Sequence, residues 1–280
     1  MAKLQGKKKR DSYDVVANIV IVFFAICNLF PIYWLFTSSL KNSSDVIKMP
    51  PDWWPKTFTF SNYTEVFDSQ PALRWTFNSL YVAGLSTILL VVTSSMAAYA
   101  FSKLRFKGKM VIFVIFISSL MVPKEVMIVP LFRIAQDLGL VNDLHGMIWP
   151  NVAVAFGVFL LKGFFDSVPD ALREAARIDG AGEVRTFLQI MIPIVKPGIG
   201  ALFILNFVQV WNDYLWQLVI GQEKEMKTLM VGIATLMQDL NPNFAYKMAG
   251  ATVAAIPMLI IFLLFQGYFT RGLAGGAVKE

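Results

Sequence analysis

The sequence predicts an all-α integral membrane bundle of six membrane-spanning helices, with one charged helix set between the fourth and the fifth. Three observations carry that prediction. Of 280 residues, 56% are hydrophobic and only 16% charged, and the apolar ones come in long runs instead of the 3.6- or 2-residue alternation of half-buried helices and strands. Six runs reach or approach the ~20 residues that a helix needs to cross a ~30 Å hydrocarbon core: 15–36, 75–101, 110 to about 132, 146–165, 198–220 and 248–269. The Lys and Arg residues then fall unequally between the connections. With the N-terminus in the cytosol, sixteen of the 25 lie inside and nine outside, as the positive-inside rule requires; the short cluster Lys103, Arg105, Lys107 and Lys109 is the cleanest marker. Both termini and the charged helix are therefore expected in the cytosol. The net charge of +6 thus has a membrane explanation, and nucleic acid is not an expected partner.

In chain order, residues 1–14 form a basic cytosolic arm, drawn to anionic lipid headgroups. No cleavable signal peptide is expected, because the first apolar run is too long and lacks an A-x-A-like site. That first span holds Pro31 and the only cysteine, Cys27, so no intrachain disulfide can form. Residues 41–74 make an external loop with Pro50, Pro51 and Pro55, and with Trp53 and Trp54 as interfacial anchors or, alternatively, a platform for sugar stacking. The third span is irregular. Residues 110–122 alone would cover only ~20 Å at 1.5 Å per residue, so the helix either continues past Pro123, Lys124 and Glu125 or ends there and turns along the outer surface. In the first case both charges must face a bundle interior or water; in the second they are simply wet. His145 is the only histidine, so no His/Cys metal site is expected.

The stretch 174–193, EAARIDGAGEVRTFLQIMIP, is the charged helix. Pro169 suits a helix start, Ser167 and Asp170 have capping-box spacing, and Asp170 places a negative charge at the positive end. Leu172, Ala175, Ala176 and Asp179 are expected on one face, with Arg173, Glu174 and Arg177 towards the other. Gly180 and Gly182 stop the helix. A second short helix from about Glu183 carries Phe187, Leu188, Met191 and Ile192 until Pro193 and Pro197 break it.

Glu174, Ala175, Ala176, Gly180, Ile190 and Pro193 match in register the EAA signature of ATP-binding-cassette (ABC) importer permeases, which the chain resembles; Ile192 stands where leucine is usual. Asn78-Ser79-Leu80, the stretch AYAFSKLRFKGK that closes the second span and the tail GLAGGAVKE are similar to the second permease of the maltose-type, carbohydrate class. The resemblance covers nearly all of residues 15–280. It implies a six-span permease domain over 15–270, with its EAA loop at about 166–197, and a cytosolic tail at 271–280. It further implies a second permease subunit, two ATPase subunits that hold ATP and magnesium, an extracytoplasmic solute-binding protein and a carbohydrate substrate, in the cell membrane of a prokaryote. Contact with the ATPase then falls to Arg173, Glu174, Ala175, Ala176, Arg177, Asp179 and Gly180.

In the fifth span Asn206, Gln209, Asp213, Trp216 and Gln217 fall within about 100° of one helical face, with Asn212 at its edge. Such a stripe is either interhelical hydrogen-bonding glue or the lining of a hydrated pathway for a hydroxyl-rich solute. Residues 222–247 form an external loop of mixed charge without a motif. No G-x-x-x-x-G-K-[ST] phosphate loop occurs, and no serine, histidine and acid share a water-facing site, so the chain is expected to be neither an ATPase nor a hydrolase, with no cofactor or metal of its own. An ion-coupled secondary transporter would account for six spans and Asp213 but not for the EAA register. An importer of a non-sugar solute would share the motif, and a scaffold would need neither motif nor stripe.

Overall fold

Long apolar runs in lipid must satisfy every backbone group internally, and helices do so within one segment. The structure, a computed structural model, describes residues 12–238 and 242–277, with side chains described for 15–238 and 242–265. All regular structure among them is helical. Four helical segments are long and apolar enough to cross a membrane, Val15–Ser39, Ala72–Lys103, Glu183–Trp211 and Phe244–Phe265, and there are up to six crossings if two bent pairs each count as one. The basic arm at 1–14 lies outside the described residues except for the backbone of 12–14. In the tail the helical backbone continues to Ala277, and 278–280 lie outside.

The chain divides into two units. The first comprises residues up to Ser69 and Leu240–Val253. Its long helix α1 (Ser12–Ser39) exposes Val16, Ile19, Phe23, Ile26 and Phe30, an apolar surface of membrane length with no cover from the described residues. At its end, Lys41 is buried at 1% exposure, donates to the Asp52 carbonyl and lies 4.3 Å from the Trp34 ring. Burial holds its ammonium below the usual value in spite of Asp52 and Asp45. Tyr33 donates to the Trp53 carbonyl, and the Trp53 ring packs 5.9 Å from both Phe30 and Trp34, tying the external loop to α1. Two short helices, α2 (Ser43–Val46) and α3 (Ser61–Ser69), complete the loop.

The second unit, Gln70–Asp239 with Ala254 onward, is built on α4 (Ala72–Lys103). Its buried face carries Ser79, Ser86, Thr87, Ser94 and Ser95, small residues that allow close helix approach. The third span is broken, as α5 (Lys109–Ser118) and a short turn lead through Pro123 to a second turn and α6 (Ile128–Asp137), with a bend of 91°. The fourth bends by 45° between α7 (Leu144–Ile148) and α8 (Ala155–Asp166). Helix α8 packs against α4 so closely that a Cβ on Gly157 would collide with the Ser94 hydroxyl. The charged helix is α9 (Asp170–Ile178), followed by α10 (Glu183–Thr186) and α11 (Ile192–Trp211). Leu90, Tyr99, Val158, Leu161, Phe165, Met191 and Leu202 form the core between α4, α8 and α11.

Three sequence expectations are corrected here. Pro193 and Pro197 do not break the chain, because a π-turn over Phe187–Met191 bridges α10 to α11 and puts Pro193 in the first turn of α11, where its missing N–H is tolerated. The fifth span does not run unbroken from 198 to 220; α11 ends at Trp211 and a separate helix, α12 (Leu215–Ile220), follows. The stretch 222–247 is not loop throughout, since it contains α13 (Leu229–Gln238), which buries Leu229, Val231, Ile233 and Leu236. The last helix, α14 (Phe244–Ala277), carries Pro257.

Candidate functional site

Two regions collect the polar side chains, one at the start of the α10–α11 helix and the other past its end. The first is built around α9. The expected capping box does not form: Ser167 Oγ donates back to the Phe164 carbonyl, and the Asp170 carboxylate is taken by Lys103. Lys103, the last residue of α4, is 8% exposed and donates to Val168 O at 2.6 Å and Asp170 Oδ1 at 2.7 Å. Its hydrogen bond and charge hold the Asp170 carboxyl below the usual range.

The other end of α9 is held by Glu183. Arg173 donates to it through Nε and a terminal nitrogen at 3.2 and 2.7 Å, Arg177 adds a bond at 2.8 Å, and Tyr99 of α4 donates at 2.7 Å. The Glu183 carboxylate in turn raises the Arg173 guanidinium above its ordinary value. Fork-to-carboxylate pairing of this kind fixes orientation as well as adding energy. Sequence reading took Glu183 only as a helix start; its partners lie six, ten and 84 positions away, with no local pattern to join them.

These bonds decide which face of α9 is free. Ala176 is buried and Arg173 half-buried, whereas Ala171, Leu172, Glu174, Ala175, Arg177, Ile178 and Asp179 are exposed. The expected face of Leu172, Ala175, Ala176 and Asp179 is therefore split, with Ala176 turned inward beside Arg173 and the rest outward. Ile178 is 87% exposed, a large apolar residue left without cover. The helix ends in a Schellman motif: Gly180, at φ 77°, donates to Arg177 O at 3.0 Å and Ala181 donates to Ala176 O at 2.9 Å.

The second region lies where the broken third and fifth spans meet. Lys124, just after the Pro123 bend, pairs with Asp213 at 2.5 Å, in the gap between α11 and α12, and donates to Asn151 Oδ1 at 3.1 Å. Both open readings of the third span thus hold in part: the helix ends before Pro123, yet Lys124 is compensated by the bundle while Glu125 is exposed. Lys124, Glu125, Gln209, Asn212, Asp213, Tyr214 and the edge of Trp216 line a recess of about 320 Å³. The polar stripe expected on one face is divided by the helix break. Asn206 donates to Thr87 Oγ1, Trp216 to Gly146 O and Gln217 to Val210 O, all buried within the chain, whereas Gln209, Asn212 and Asp213 are exposed or half-buried at the recess, with Asn212 donating back to Val208 O and Asp213 accepting from Lys124. Amides, a carboxylate and an ammonium beside aromatic edges can exchange hydrogen bonds with hydroxyl-rich solutes. No cluster able to hold a metal ion exists among the described residues.

The sequence model of one family, the binding-protein-dependent transport system inner membrane component, matches residues 90–275. The chain is 36% identical over 270 residues to the arabinooligosaccharides transport system permease protein AraQ of Bacillus subtilis (strain 168), covering 95% of this chain and 96% of that protein. It is 34% identical over 268 residues to the sn-glycerol-3-phosphate transport system permease protein UgpE of Agrobacterium fabrum, covering 92% and 95%. Among solved structures it is similar to a chain of a bacterial ABC transporter involved in the import of the acidic polysaccharide alginate, with a TM-score of 0.81, 25% identity and coverage of 95% of this chain and 100% of that one.

Proposed function

This chain belongs to the binding-protein-dependent transport system inner membrane component family, and from that premise we propose that it forms half of the translocation pathway of a carbohydrate importer, coupled to a cytosolic ATPase subunit through α9. It is a membrane permease component of an ABC importer, and ATP hydrolysis is the work of a separate ATPase subunit. In the proposed assembly a second permease, a different chain, supplies the other half of the pathway. Two ATPase subunits hold ATP and magnesium, and an extracytoplasmic binding protein delivers the sugar. The Lys and Arg distribution supports cytosolic termini in a prokaryotic cell membrane.

The observation that carries the reading is α9, clamped at both ends from behind and bare in front. Lys103 anchors it to α4, and Glu183, itself bonded by Tyr99 of α4, anchors it to the α10–α11 helix. Its free surface, Ala171, Leu172, Glu174, Ala175 and Ile178, fits a cleft whose walls approach small residues closely and answer one carboxylate. Asp179 and Gly180 end the lever, Arg173 stiffens it from behind, and Arg177, bonded to Glu183 yet exposed, stands at the edge of the partner-facing surface. When the ATPase pair closes, the displaced α9 carries α4 and α11 with it, and the recess beyond the far end of α11 changes its access. Carbohydrate as the solute is supported by AraQ, the relative named for arabinooligosaccharides, and by the amide and carboxylate lining of the recess.

The test is purification of this chain in mild detergent from its native membrane. An ATPase subunit and a second permease copurify on this reading; a chain recovered without an ATPase overturns it. Mass spectrometry of the ligand on the associated binding protein tests the solute, because a bound amino acid or inorganic anion would remove the carbohydrate assignment.

A further inference from the structure

The recess between the two broken spans has an unbalanced charge. Lys124 is neutralised by Asp213, which is 11% exposed in its side chain and is held at ion-pair distance. Glu125, next along the chain, also lines the recess, is exposed, and has no ion-pair partner among the described residues. The remaining lining groups are uncharged: the amides of Gln209 and Asn212, the aromatics Tyr214 and Trp216, and the apolar Ile128 and Leu215. This wall therefore carries one net negative charge and no free cation, so it offers hydrogen bonds to hydroxyls and repels anions.

We infer that Glu125 is a specificity-determining residue, which makes this half of the pathway select neutral carbohydrates and reject anionic ones such as sugar phosphates and uronate chains. The inference rests on the reading of the recess as pathway lining. A carboxylate at the recess disfavours an anionic solute at the step where it leaves bulk water, and the Lys124–Asp213 pair keeps the only nearby ammonium from answering that solute.

The probe is a thiol at Gln209, introduced as Gln209→Cys with Cys27→Ser in the full transporter complex. A methanethiosulfonate bearing a quaternary ammonium and one of similar size bearing a sulfonate are compared, each rate scaled to that with a free thiol. An uncompensated unit charge a few ångströms away in water separates the two signs by about tenfold in rate, so the cationic reagent is expected to react about tenfold faster. Added Glu125→Gln brings the ratio to near one, and high salt reduces it in the Glu125 protein. Equal rates in the Glu125 protein, or a ratio unchanged by Glu125→Gln, overturn the charge selection and leave the pathway reading standing. Absence of reaction with either reagent is a different failure: the recess is then closed to water, and the pathway reading falls together with the inference.

Discussion

Valine at Gly180 perturbs the end of α9 without touching anything else. No atom lies within 4 Å of where a Cβ would stand, so the penalty comes from the backbone alone, at φ 77°. A non-glycine residue in this left-handed region costs about 1–2 kcal/mol, and a β-branched one is a true outlier. If the chain instead leaves that conformation, it forfeits the bonds from Gly180 to Arg177 and from Ala181 to Ala176, at about 1 kcal/mol net each. Either route costs about 2 kcal/mol, well short of the 5–15 kcal/mol that holds a typical domain folded. The complex should therefore assemble, while the clamp of Arg173 and Arg177 on Glu183 is displaced from its register. In proteoliposomes, Gly180→Val is expected to retain ATP hydrolysis and lose about tenfold or more in solute taken up per ATP, since ~1.4 kcal/mol is a factor of ten in a conformational equilibrium. Gly180→Asn tolerates the same φ and should lie near the parent. Uptake per ATP in Gly180→Val equal to the parent would refute the role of this helix end in coupling.

Three further outcomes are expected. Because the Asp170 carboxyl is held below its usual value by Lys103, its stabilising effect is present above the ordinary value of 3.8 and is lost as pH falls through the lowered one; the Tm difference between the parent complex and Asp170→Asn, present at pH 7, should therefore shrink as pH drops below about 4. Asp213→Asn leaves the half-buried Lys124 ammonium with Asn151 alone, so it should lower the Tm more than the double variant Lys124→Gln with Asp213→Asn does, by about 1–3 kcal/mol of coupling in a double-mutant cycle; additive effects would show that the pair contributes nothing. Reporters fused after Lys109 and after Asp170 should both read cytosol and one inserted near Asp52 should read outside, and a single exchanged location would contradict the orientation.

The six apolar runs were legible because a bilayer imposes one length on every crossing helix, and that constraint is local. The breaks were only partly so. Pro123 announces its bend, but the gap after Trp211 has neither proline nor glycine; it exists because Gln217 takes the Val210 carbonyl and Lys124 takes Asp213, contacts separated by up to 89 positions. A stripe drawn on an uninterrupted helix therefore put Trp216 and Gln217 beside Asp213, whereas their polar atoms turn into the chain. Helix α13 escaped notice because Glu223, Lys224, Glu225 and Lys227 precede it and its ten residues are too few for a span. The signature around α9 was plain, but its inward bonds were not. Ser167 and Asp170 form a valid local cap in isolation, and only the distant Lys103 draws Asp170 away. Glu183 gathers partners from α4 and α9, so its role appears only once those helices are brought together.

The proposed coupling depends on contact between α9 and an ATPase subunit, and a photo-crosslinker anchored on Ala175 tests for it. With Ala175→Cys in the Cys27→Ser background, a benzophenone maleimide attached in the assembled transporter should give one covalent adduct with the ATPase subunit. The same reagent on Val111→Cys, on the exposed apolar side of α5, should give none. Full attachment at Ala175 with no ATPase adduct on illumination would contradict the claim that this face of α9 is where the ATPase grips the chain.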